Sequence, residues 1–154
     1  MDARKDILVL GVGNLLLKDE GVGVHVVRKL QALSLPDNVE VMDGGTLGFD
    51  LIFEMQGRKK VIIIDAVKAD QKPGTLYRFS GEDVEHFPKT RLSVHDFDLS
   101  DVIHSAELVG GKPDEVVFIG VEPKDMSAGL ELSPEVEKKI PKIIELVMEE
   151  IKLG

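Results

Sequence analysis

Four side chains in this chain have the type and position to do chemistry: Glu20, Asp43, Asp65 and His95. Asp65 closes an uninterrupted apolar run, VIII at 61–64. A carboxylate there is largely buried, and a buried charge is costly unless it is paired or hydrogen-bonded. His95 stands in a Ser-x-His-Asp sequence ahead of a helical pattern, whereas His25 and His104 fall within expected helices and His86 within a charged loop. Two carboxylates and one imidazole suit a borderline divalent metal and leave positions open for a substrate. There is no cysteine, so thiolate metal sites, disulfides and cysteine nucleophiles are excluded.

Each residue also has an ordinary structural role open to it. Glu20 falls in an expected first helical turn, where a carboxylate complements the helix dipole. Asp65 can accept from nearby loop amides. Asp43 precedes Gly44-Gly45 and suits a turn. His95 can be a neighbour of a helix cap. Spacing alone leaves both kinds of role standing.

The elements that must position these residues alternate between strand-like and helix-like, the pattern of an α/β domain with a largely parallel sheet. Residues 7–12 read as a strand buried on both faces. A first helix follows over about 20–32, a second strand over 39–42, and a short second helix marked by Leu47, Leu51, Ile52 and Met55. Residues 61–64 form the surest central strand. Only 68–74 separate it from a strand at 75–79, too few for a crossover helix, so this fourth strand is expected to run antiparallel. A polar stretch, 80–91, leads to His95 and a third helix with Phe97, Val102 and Leu108. The last strand covers 115–121. Ser133 is read as an N-cap with Pro134 at the first helical position. Pro141 is expected to bend or interrupt the start of the final helix. In such sheets ligands bind outside the carboxyl ends of the strands, and there Asp19 and Glu20 after the first strand, Asp43 after the second, Asp65 at the end of the third and His95 before the third helix converge. The helical glycines Gly21 and Gly23 each cost roughly 1 kcal/mol relative to Ala, a cost met where a backbone or ligand approaches closely.

The 154 residues suit a single domain over 1–154 with a sizeable core. A formal net charge of −9 disfavours nucleic acid and anionic membrane and favours a partner with a basic patch. The charged N-terminus and the lack of any long apolar segment give the cytoplasm as the expected location. A nucleotide-binding reading fails because Leu16 stands where a dinucleotide fingerprint needs its third glycine, and no P-loop lysine is present.

The motifs together resemble the endopeptidases that mature the large subunit of nickel–iron hydrogenases. The matching segments are GVGNLLLKDEGVGVHVV (11–27), DGGTLG (43–48), IIIDAV (62–67), SVHDFDLSDVI (93–103) and GVEPKDMSAGLELSPEV (120–136). They cover the chain from about Ile7 to the final helix, in the family's order. The resemblance implies a three-layer, phosphorylase/hydrolase-like sandwich with a twisted five-stranded mixed sheet between helices. It implies an aspartic-type peptidase that removes a C-terminal extension from the large-subunit precursor after nickel insertion. Carried over, the metal-contacting positions are Glu20, Asp65 and His95, with Asp43 another acidic position at the same site and Asp43 or Asp65 as general base. The nickel belongs to the substrate; no tightly bound cofactor is expected, and the protein is expected to be a monomer. Asp96 departs from the family pattern, where an amide is usual, and is read as a helix start. The rival readings are a non-catalytic, chaperone-like binder that senses the metal in the immature subunit, and a protease of the same fold with another substrate.

Overall fold

The computed structural model describes residues 4–45, 50–80 and 105–154. His86, His95, Asp96, Phe97, Val102, His104, Leu47 and most of the polar stretch 80–91 lie outside the described residues. Five strands, β1 (Ile7–Val12), β2 (Val39–Gly45), β3 (Lys60–Ala66), β4 (Leu76–Ser80) and β5 (Glu115–Val121), form one sheet in the order β2-β1-β3-β5-β4. β1 pairs in parallel with β2 and β3, and β3 with β5; β4 runs antiparallel to β5, as its short connection requires. β1, β3 and all but the first residue of β5 are buried, which explains their unbroken apolar runs.

Strand alternation sends side chains to two separate cores. On one face Ile7, Val9, Ile62 and Ile64 meet α1 (Val22–Gln31), α4 (Pro134–Glu137) and α5 (Ile140–Leu153) through Val26, Leu30, Val136, Ile143 and Val147. On the other, Leu8, Leu10, Ile63 and Phe118 meet Met55 of α2 (Leu51–Met55). A further helical segment (α3) occupies 105–109. The result is the layered α/β arrangement expected from the pattern. At ten residues α1 is too short to persist alone and is held by its buried face.

One boundary differs from expectation, and two others fall where expected but differ in detail. The first helix does not begin at Glu20: a 3-10 turn, Lys18–Gly21, comes first, and α1 starts at Val22. Lys18 has φ +44°, a conformation that keeps the α-helix from starting there. Ser133 occupies the N-cap position with Pro134 at N1, but its side chain makes no cap hydrogen bond; its hydroxyl goes to Asp19 instead. Pro141 does not bend one helix. It lies in the first turn of α5, separated from α4 by Lys138-Lys139, because a ring without N–H is tolerated only there.

Candidate active site at the carboxyl edge of the sheet

The chain leaves β1 for α1 on one face and leaves β2 for α2 on the other, so β1 and β3 flank the switch point of the sheet. A crevice opens at such a point beyond the carboxyl ends of the strands. Glycines allow the elements to close on it. A Cβ on Gly23 would lie 2.2 Å from the Ile64 carbonyl oxygen and 2.5 Å from that of Val12; one on Gly13 would lie 1.9 Å from the Glu20 carbonyl oxygen. The glycines that burden α1 are thus required by backbone approach.

Asp65 sits at this edge, 1% exposed, and its Oδ1 accepts from the Ala66 amide at 2.8 Å. Glu20 is half-buried on the 3-10 turn, which touches β3. The structure therefore brings Glu20 and Asp65 to the same end of the sheet. Glu20 lies one turn ahead of α1 rather than within it. Asp43 is exposed on β2, with Oδ1 accepting from the Gly45 amide at 2.9 Å, so the turn-forming role is realised. Gly11 pairs with both Asp43 and Ile64, which sets Asp43 level with the end of β3 but two strands away. That separation is roughly 10 Å, twice the inter-strand spacing. Among the described residues no three His, Asp or Glu side chains are grouped to hold a metal; His95 is not one of these residues.

Two buried carboxylates beside the crevice carry no local sequence signature. Asp19 is wholly buried and gathers four hydrogen bonds: Ser133 N–H to Oδ1 (2.8 Å), and Lys124 N–H (2.9 Å), Asp125 N–H (3.0 Å) and Ser133 Oγ–H (2.8 Å) to Oδ2. In the sequence it is only one of several polar residues after β1. Its partners lie more than 100 positions away. Glu122, 3% exposed, accepts from the Ala69 and Gln71 amides and from the Tyr77 hydroxyl at 2.6 Å. It thereby pins the segment that follows Asp65. Burial, reinforced by Glu122, pushes the Tyr77 hydroxyl above its ordinary pKa and keeps it a donor.

The fold and this edge define an open-sheet α/β protein with carboxylates at the switch point between β1 and β3. The hydrogenase maturation protease (HycI) family model matches residues 24–150. The Hydrogenase 2 maturation protease of Escherichia coli is 39% identical over 144 residues, covering 92% of this chain and 88% of that protein. The solved structure of the hydrogenase maturating endopeptidase HybD from E. coli superposes with a TM-score of 0.85 at 37% identity, covering 95% of this chain and 91% of that one. The [NiFe] hydrogenase maturation protease HybD from Thermococcus kodakarensis gives 0.78 at 29% identity, covering 94% and 98%. This chain belongs to the hydrogenase maturation protease family and is a peptidase of that family.

Proposed function

We propose that this peptidase removes the C-terminal extension of a nickel–iron hydrogenase large-subunit precursor once nickel is in place, and that it reads the nickel through Glu20, Asp65 and His95. The observation that carries the reading is Asp65: an almost wholly buried carboxylate at the end of the central strand, at the switch point, with the Glu20 turn packed against that strand. Nickel held by the substrate's thiolates offers open positions to carboxylate and imidazole donors, so loaded precursor is clamped and empty precursor is not. The same ion polarises a nearby carbonyl, and Asp43 or Asp65 takes the proton of the attacking water, which makes the chemistry aspartic-type. The protein acts in the cytoplasm as a monomer.

The test is incubation of the protein with nickel-loaded precursor, following loss of the tail by mass. Glu20→Ala, Asp65→Ala and His95→Ala are expected to block processing with folding retained; processing at the parent rate in all three sinks the proposal. Asp43→Asn and Asp65→Asn identify the base. The variant that lacks it loses about a hundredfold or more in kcat with KM little changed.

A further inference from the structure

We propose that Asp19 is a positioning residue for the nickel-reading site: its buried carboxylate fixes the turn that presents Glu20. This rests on the role given above to Glu20. The turn has little holding power of its own. It spans four residues, Lys18–Gly21, has no side-chain cap, and begins at a left-handed lysine. Its conformation is imposed from residues 124–133. The Asp19 amide donates to the Asp125 carbonyl (3.0 Å), Lys18 to that of Gly129 (3.0 Å), and Gly129 in turn to that of Leu16 (2.9 Å). The Lys18 ammonium pairs with Asp125 at 3.0 Å.

Asp19 is the buried centre of this junction. One carboxylate collects three backbone amides and one hydroxyl, drawing residues 124, 125 and 133 onto the residue next to Glu20. From the opposite side, the Glu20 carbonyl and Gly21 are pressed against Gly13, Asn14 and Leu15, where no added Cβ fits. The backbone of Glu20 is therefore held between a glycine floor and the Asp19 clamp. An amide in place of the carboxylate turns an N–H₂ towards donors at one of its two positions, so the clamp must open. Groups that orient metal-contacting side chains in this way typically contribute ten- to hundredfold to metal recognition or activity.

The readout is the preference for nickel-loaded over nickel-free precursor, measured as the ratio of binding affinities. Misfolding lowers the active fraction for both precursors and leaves this ratio unchanged. Asp19→Asn is expected to cut the ratio by roughly ten- to hundredfold, as Glu20→Ala does. Loss of the ratio in Glu20→Ala but not in Asp19→Asn overturns the proposal while leaving the nickel-reading role of Glu20 standing. An unchanged ratio in both overturns that role and the proposal with it. If Asp19→Asn does not fold, Ser133→Ala carries the test, since it deletes one of the four hydrogen bonds and spares the three amides. A ratio lowered two- to threefold supports the clamp, and a parental ratio overturns it.

Discussion

His25 is borne on α1 with its Nε2 buried and without a hydrogen-bond partner among the described residues. Burial lowers its pKa, Arg28 and Lys29 lower it further, and Glu137 opposes them. The sign follows. In the unfolded chain the imidazole titrates near its usual 6.5, and in the fold it titrates lower. As pH falls through about 6.5 the unfolded chain takes the proton first, so stability is present above that value and lost below it. His25→Leu is expected to flatten the pH dependence of unfolding between about pH 7 and 5, read by denaturant melts at each pH. Identical slopes in parent and variant would remove this residue from the acid sensitivity. The helical position of His25 was legible in the sequence, but its orphaned nitrogen was not. Asp19 was beyond it for a related reason: its bonds to Ser133 span 114 positions, so Ser133 read as an N-cap by the only local rule that applied.

Elements were more legible, because their signals are local and their exceptions steric. The antiparallel β4 followed from the few residues before it, and the break ahead of α5 from Pro141. The closing of α1 onto the sheet was foreshadowed by Gly21 and Gly23, whose cost demanded a reason. Gly23→Ala tests that reason: a Cβ between the carbonyls of Ile64 and Val12 is expected to cost about 3 kcal/mol or more, measured by chemical denaturation. A second test lies at the amino end of β3. Lys60, 2% exposed, pairs with Glu150 of α5 at 2.8 Å and donates to its carbonyl at 2.8 Å, while Arg78 of β4 grips the same carboxylate. Burial pushes the Glu150 carboxyl up, but the hydrogen bonds from Lys60 and Arg78 outweigh it and hold the group below its ordinary value. Its contribution is therefore present above the unfolded carboxylate range and lost as pH falls through it. Lys60→Met removes one of the two cations that hold the buried Glu150 carboxylate and is expected to cost about 2–3 kcal/mol. Processing by the folded fraction is expected to persist, because Asp65 lies five residues along the strand, roughly 17 Å away. A large stability loss with normal turnover would separate the scaffold from the site.

At the scale of the molecule, the order β2-β1-β3-β5-β4 explains why residues scattered over the sequence serve one place. Strand ends fixed the edge, and the switch between β1 and β3 selects Glu20 and Asp65 from the carboxylates along it. Asp43 was legible as an edge residue, but its distance from Asp65 depends on which strands are neighbours, which no local pattern encodes. Charge also acts at this scale. The formal net charge is −9, and Glu20, Asp43, Asp65, Asp19 and Glu122 add acidic groups at the end of the sheet proposed above to receive the substrate. An acidic protein of this kind draws a basic face on its partner towards the crevice, and the attraction acts on encounter more than on the bound complex. At about 0.1 M salt the field is screened within roughly 10 Å. Raising KCl from about 50 to 500 mM should therefore lower kcat/KM for the precursor by roughly tenfold, while kcat at saturating precursor holds. Neutralising an exposed carboxylate that follows β3, such as Asp70, should shallow that dependence without changing the cleavage point. A salt-independent kcat/KM would mean that shape and nickel, rather than long-range charge, bring the two proteins together.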